Sequence, residues 1–177
     1  MKTILTFAAA AGMGAAGLAQ PAPPATSDLL RLRTAFEFVV HASYADTAPL
    51  FGPEGERAWV GKHWDPKFLH PQPARDEEGA VFTVQRGPVN EVWVNTLFDV
   101  EGRHFHYVYF MADLLVTTVD VRFKPIDASN TQVNVVFTRT ALTTAGNERV
   151  RAMRETDKAA DKVWSQKIEA YFAGRKR

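Results

Sequence analysis

A chain of 177 residues, 46% hydrophobic and 23% charged, can bury a sizeable core without covalent staples. Lys and Arg number 21 against 20 Asp and Glu, a formal net charge of +1, so the basic excess that a phosphate-binding face needs is missing and no nucleic-acid partner is expected. The absence of Cys removes disulfides, thiolate nucleophiles, Cys-ligated metals and iron–sulfur clusters.

The chain opens with Met1-Lys2 and an uncharged stretch, Thr3 to Ala19, rich in Ala and Leu and carrying Gly12, Gly14 and Gly17. That is the layout of a secretory signal peptide, with cleavage placed after Ala19, where Gly17 and Ala19 bracket Leu18 and Gln20-Pro21 follows. The alternative is a retained membrane anchor; the stretch is short for a span of about 20 residues, and Pro21, Pro23 and Pro24 follow at once. No Cys stands at the cut, which argues against a lipid anchor. The expectation is a periplasmic or secreted chain with no stable membrane anchor and a net charge near zero, since Lys2 leaves with residues 1–19. Residues 20–28 read as a flexible leader, 29–174 as one domain and 175–177 as a basic tail.

Ala35 to Ala42 alternates, with Phe36, Phe38 and Val40 on one side, and predicts a first strand. Asp46–Phe51 and Pro53–Trp59 read as short helical pieces, Pro53 standing in a first turn where its missing N–H costs nothing. Gly61–Pro71 has no steady period and two prolines; it reads as an ordered loop pinned by Trp64 and Phe68, and His63 and Trp64 are its candidate contacts to a ligand. Strands are predicted over Gly79–Gln85, Asn90–Asp99, Arg103–Met111, Leu115–Lys124 and Thr131–Leu142. In the second of these, Val92, Val94, Thr96 and Phe98 oppose Trp93 and Leu97. In the third, Phe105, Tyr107 and Tyr109 face away from His104, His106 and Val108. Short connections, with a tight turn at Glu101-Gly102, make an antiparallel meander.

Asn147 reads as the N-cap of one long helix from Glu148 to about Phe172. Val150, Met153, Ala160, Trp164, Ile168 and Tyr171 form one stripe on it, while Arg151, Glu155, Lys158, Lys162, Gln166 and Glu169 lie on the other side. A helix apolar on one side needs a partner there, and the concave side of the sheet is the one available.

This order of elements resembles the START-like superfamily of polyketide cyclase/dehydrase and lipid-transport proteins, often called SRPBCC. Within it the chain is similar to a branch of small, mostly uncharacterised bacterial proteins. Phe36-Glu37-Phe38 with His41-Ala42, the run Phe51 to Trp59, Trp64-Asp65-Pro66, Phe68 to Pro71, Asp76 to Thr83 and Thr138 to Asn147 carry the likeness, which covers Phe36 to Phe172. The resemblance implies an α+β helix-grip fold, a curved antiparallel sheet around a long C-terminal helix with two short helices after the first strand. It also implies a cavity between sheet and helix, in which relatives hold lipids, polyketides, sterols or plant hormones. Some relatives catalyse cyclisation or dehydration and many are carriers; no catalytic residue carries over to a position in this chain.

Asp157 is the most informative single residue. At 100° per residue it falls within the stripe of Met153, Ala160, Trp164 and Ile168, so its carboxylate points inward and must find a partner or shift its pKa upward. It is either a polar anchor or acid/base group on a cavity wall, or one half of an internal ion pair with Arg139, which interrupts the apolar face of Val133, Val135 and Phe137. Trp93, Tyr107, Tyr109, Arg139, Met153, Asp157 and Trp164 are the candidate cavity residues: an apolar wall with a few convergent polar groups. His104 and His106 share a strand face, but no third ligand follows at metal-binding spacing and His63 and His70 are not tied to them, so no metal site is assigned. Ser43, Ser129 and Ser165 lack a nucleophile-elbow setting, and no glycine-rich phosphate loop exists, so no cofactor is expected. The expected function is binding or carriage of a hydrophobic small molecule or lipid. The alternatives are a cyclase-, dehydratase- or hydrolase-type enzyme using cavity acid/base residues, and a scaffold that binds another protein.

Overall fold

In the computed structural model, residues 28–175 are described; the expected signal peptide, nearly all of the leader and the last two residues of the basic tail lie outside them. Among the described residues, seven strands form one antiparallel sheet: β1 (Arg31–Val40), β2 (Lys67–His70), β3 (Val81–Arg86), β4 (Val89–Asp99), β5 (His104–Met111), β6 (Leu115–Asp127) and β7 (Asn130–Ala141), in the order β1-β7-β6-β5-β4-β3-β2. β3 to β7 are a meander, and the first strand closes on the last, Phe36 opposite Val135 and Phe38 opposite Val133. Alternation places the inner face: Leu115, Thr117, Val119, Val121 and Phe123 on β6 and Val133, Val135, Phe137 and Arg139 on β7 are all buried. No described helix is long and apolar enough to cross a membrane.

Between β1 and β2 the chain makes a short helix α1 (Tyr44–Thr47) and two 3-10 turns, Ala48–Phe51 and Gly55–Ala58. The segment predicted as a loop over residues 61–71 is an ordered loop only as far as Pro66. Its end is strand β2, drawn to the sheet edge by Phe68, which pairs with Phe82 and stacks on it at 5.4 Å. The first strand starts earlier than its apolar alternation, because Arg31 to Thr34 gain partners on β7 that a single-strand pattern does not reveal. In β4 the expected alternation is reset. The register shifts between Asn95 and Leu97, and a bulge of this kind turns every later side chain to the other face. Phe98 consequently joins Trp93 and Asn95 on the inner side and stacks on Phe105 at 4.0 Å, rather than sharing a face with Val92 and Val94.

The C-terminal helix differs from the expectation in two ways. It begins at Thr144, capped by Thr143, whose hydroxyl accepts from the Gly146 N–H at 3.1 Å. Asn147 lies inside the first turns, where its buried side chain accepts from the Leu30 N–H at 2.7 Å and donates to the Asp28 carbonyl at 2.8 Å. The helix is also divided, into α2 (Thr144–Asp157) and α3 (Ala160–Arg175). At the junction the Lys158 N–H reaches the carbonyls of Glu155 and Thr156, and the Ala159 N–H that of Thr156, which tightens the last turn and interrupts the α-helical ladder. Both halves keep the expected orientation: Val150, Ala160 and Ile168 are buried, and Arg151, Glu155, Lys158, Lys162, Gln166 and Glu169 are exposed.

Candidate functional site: a cavity between sheet and helices

A cavity of about 520 Å³ lies between the inner face of the sheet, α2 and α3, and the segment that follows α1. The sheet contributes Trp93, Tyr107, Tyr109, Met111, Val119, Val121, Phe137 and Arg139; the helices contribute Met153, Asp157 and Trp164. All seven residues proposed from the sequence for the cavity are therefore on its wall. Of the two loop candidates, Trp64 lines the cavity, whereas His63 is exposed and outside it. The aromatic side chains brace one another. Trp93 stacks on Tyr109 at 4.2 Å and meets the edge of Trp64 at 5.4 Å, and Trp164 packs edge-on against Phe36 and Trp59 at 5.2 and 5.4 Å.

Asp157 and Arg139 form a two-pronged ion pair. Arg139 Nη1 donates to Asp157 Oδ2 and Nη2 to Oδ1 at 3.2 Å, and the Thr34 hydroxyl adds a hydrogen bond to Oδ2 at 2.6 Å. The two side chains are only 6% and 10% exposed. The guanidinium also lies over the Phe137 ring at 4.4 Å, and its buried Nε makes no hydrogen bond among the described residues. Of the two readings of Asp157, the contacts give the internal pair: both of its oxygens are occupied.

Two further carboxyls on the wall were not found from the sequence. Glu91 is buried. It accepts from Trp93 Nε1 at 3.0 Å and pairs with Arg86 Nε at 3.6 Å; burial raises its pKa, against the pull of Trp93 and Arg86. Its inner-face parity with Trp93, two residues on, was the available signal. Glu56 stands in the 3-10 turn Gly55–Ala58, where no periodicity exists to orient it.

The backbone carrying Glu56 is fixed from several sides. The Asp76 carboxylate accepts from the N–H groups of Glu54 and Gly55 at 2.8 and 3.2 Å. The carbonyls of Leu50, Phe51 and Pro53 accept from Trp59 Nε1, the Tyr107 hydroxyl and Trp64 Nε1 at 2.6, 2.6 and 2.8 Å, and that of Gly52 accepts from the Glu56 N–H at 2.8 Å. Two glycines let the chain come this close. A Cβ on Gly55 would stand 1.7 Å from the Pro49 carbonyl oxygen, and one on Gly52 would stand 2.2 Å from Asp76 Oδ2. The Glu56 carboxyl itself makes no hydrogen bond or ion pair among the described residues. Burial and the nearby Asp76 push its pKa well above the ordinary glutamate value, with Arg86 opposing.

Arg149, Ala152, Thr156 and Lys167 border the cavity from the helices and are exposed. Lys167 Nζ donates to the Val60 carbonyl at 2.6 Å. The histidine pair is elsewhere. His104 contacts Asp120 at 2.6 Å and His106 contacts the Thr96 hydroxyl, both on the side of the sheet away from the cavity. His70 is exposed, and among the described residues no group of three or more His, Asp or Glu side chains is placed to hold a metal ion.

No family model matches the sequence, and no curated protein does. Solved structures do match in shape. Norcoclaurine synthase from Thalictrum flavum superposes with a TM-score of 0.62 at 10% identity, over 93% of this chain and 99% of that one. A second structure of that protein, in complex with dopamine and hydroxybenzaldehyde, gives 0.60 at 13% identity, over 98% and 97% of the two chains. An uncharacterised protein from Rhizobium leguminosarum gives 0.58 at 12% identity, over 80% and 97%, and a conserved protein from Geobacillus kaustophilus gives 0.60 at 11%, over 81% and 96%. At such identities the likeness is one of architecture: this chain has the helix-grip α+β fold that these structures share.

Proposed function

We propose that this protein binds an apolar small molecule or a lipid in the cavity under α2 and α3, and that it does so outside the cytoplasm once residues 1–19 have been removed. The observation that carries the reading is the cavity itself. Its volume of about 520 Å³ falls in the range of small-molecule sites, and its wall is mostly aromatic and aliphatic with a few convergent polar groups. The fold neighbour solved with dopamine and hydroxybenzaldehyde lends support for a small-molecule occupant. The catalytic alternative through Asp157 has less support: its carboxylate already accepts from Arg139 and Thr34 and is engaged as half of an internal ion pair.

Native mass spectrometry of protein recovered from its own host, followed by solvent extraction, tests the binding. An apolar adduct is expected, and Ala152→Trp, which places a bulky ring at the exposed border of the cavity, reduces its occupancy. Finding no adduct, together with no binding of 1-anilinonaphthalene-8-sulfonate, would overturn the reading. For export, N-terminal sequencing is expected to begin at Gln20 in the envelope or medium; a product retained in the cytosol with Met1 intact counts against it.

A further inference from the structure

Two of the three carboxyls on the cavity wall are supplied with donors by the protein, and the third is not. Asp157 has Arg139 and Thr34, and Glu91 has Trp93 and Arg86. Glu56 has none among the described residues. It keeps a partial accessibility although protein atoms enclose it, because the space it still reaches is the cavity. A turn locked by Asp76, Gly52, Gly55 and three side-chain donors holds this carboxyl on the cavity wall with no protein donor among the described residues, as a site for a ligand does and a packing role does not require.

Glu56 lies within electrostatic reach of Asp76 from the segment before β3, Arg86 from β3 and Tyr107 from β5. Tyr107 spends its proton on the Phe51 carbonyl, so it offers Glu56 none. Desolvation and the Asp76 charge favour the neutral acid, which carries one O–H to give. A cationic ligand would suit an ionised carboxylate instead, but the surrounding charge is against it. Arg139 and Arg86 are neutralised by Asp157 and Glu91, whereas Arg149 and Lys167, also bordering the cavity, make no ion pair among the described residues.

We propose that Glu56 is the polar anchor of the cavity, its carboxyl donating a hydrogen bond to a carbonyl-type oxygen on an otherwise apolar ligand, an assignment that rests on the cavity being the binding site. A matched pair of probes separates the two claims: 2-acetylnaphthalene and its isostere 2-isopropenylnaphthalene, titrated into the full chain, Glu56→Met and Glu56→Gln. Both probes bind the parent protein if the cavity is a binding site. The ratio of ketone to alkene affinity falls about tenfold in Glu56→Met, the worth of one buried hydrogen bond, and is partly kept in Glu56→Gln, whose amide still donates. Binding of both probes with an unchanged ratio in Glu56→Met would overturn the role of Glu56 and leave the cavity reading standing; failure of both probes to bind would remove the two together. The parent protein supplies a readout that needs no variant. The carbonyl stretch of bound 2-acetylnaphthalene moves to lower frequency than in a hydrocarbon solvent, and an unshifted band is the contrary result.

Discussion

Asp157 and Glu56 face the same cavity and are held in contrasting ways. Asp157 projects from the end of α2 onto the inner face of β7 and β1, where a guanidinium and a hydroxyl take up its oxygens. Glu56 projects from a 3-10 turn anchored by backbone hydrogen bonds of Glu54, Gly55 and Glu56 and of the residues just before it, while its carboxyl is unpaired among the described residues. In the first region the side chains stabilise each other and the cavity gains little polarity; in the second the backbone carries the stability and the side chain is left over. A charged residue on a pocket wall is therefore informative only when its partners are known, and the carboxyl without partners is the better candidate for contact with a ligand.

The strongest way to break this comparison is to remove Arg139. Arg139→Met leaves a buried carboxylate unpaired, and the expected loss is about 3–5 kcal/mol in urea denaturation. The double variant Arg139→Met/Asp157→Leu recovers most of it, because two apolar groups replace a desolvated pair. If Arg139→Met costs no more than a surface ion pair, of order 0–1 kcal/mol, the two regions are not different in kind.

The pH dependence of Glu56→Gln sharpens the other side. At acid pH the Glu56 carboxyl is neutral in both folded and unfolded chains and the two proteins should differ little. Above the ordinary glutamate value of 4.5 the unfolded chain releases this proton while the folded chain holds it, so stability contributed by the neutral acid is lost as pH rises toward the elevated folded value. Glutamine has no proton to release. Melting temperatures measured from pH 4.5 upward should thus show Glu56→Gln gaining on the parent protein as pH increases. Asp76 and Glu91, whose pKa values are also raised by burial, give slopes of the same sign in both proteins and largely cancel in the difference. A difference that stays flat, or grows toward acid pH, contradicts a neutral buried carboxyl. A third variant, Gly55→Ala, tests the turn rather than the charge. Its Cβ would meet a backbone carbonyl at 1.7 Å, the backbone must shift, and a loss of about 1–3 kcal/mol is expected together with weaker ketone selectivity.

The same contrast explains what the sequence could reveal. Asp157 and Arg139 were legible because each sits in a regular element, where 100° per residue or strict alternation tells a side chain which way to point. Trp93, Tyr107 and Tyr109 followed from the same rule. Phe98 did not, since the bulge after Asn95 inserts a residue that alternation has no means to register. Nor did the division of the helix, whose apolar stripe runs on across Lys158-Ala159 while its hydrogen-bond ladder does not. Glu56 was hidden for a deeper reason. Its direction is set by Asp76, twenty residues on, and by the Tyr107 hydroxyl from β5. Such long-range hydrogen bonds leave no period in the local sequence, although the run Phe51 to Trp59 is among the segments on which the resemblance rests.

Thr34→Val gives the smallest effect and divides the Asp157 cluster most finely. The hydroxyl donates to Asp157 Oδ2 at 2.6 Å, while both prongs of Arg139 reach the carboxylate independently of it. Valine keeps the volume and the strand preference of threonine, so the change removes the bond to Asp157 and the long one, 3.5 Å, that the hydroxyl accepts from Arg139 Nη1, and no packing. The expected loss is about 1 kcal/mol, with no change in ketone-to-alkene selectivity, because the guanidinium still neutralises the carboxylate and Glu56 is untouched. If Thr34→Val instead approached the cost of Arg139→Met, the hydroxyl would be fixing the carboxylate where the guanidinium alone fails to. Asp157 would then be a group poised to exchange partners, and its contrast with Glu56 would narrow.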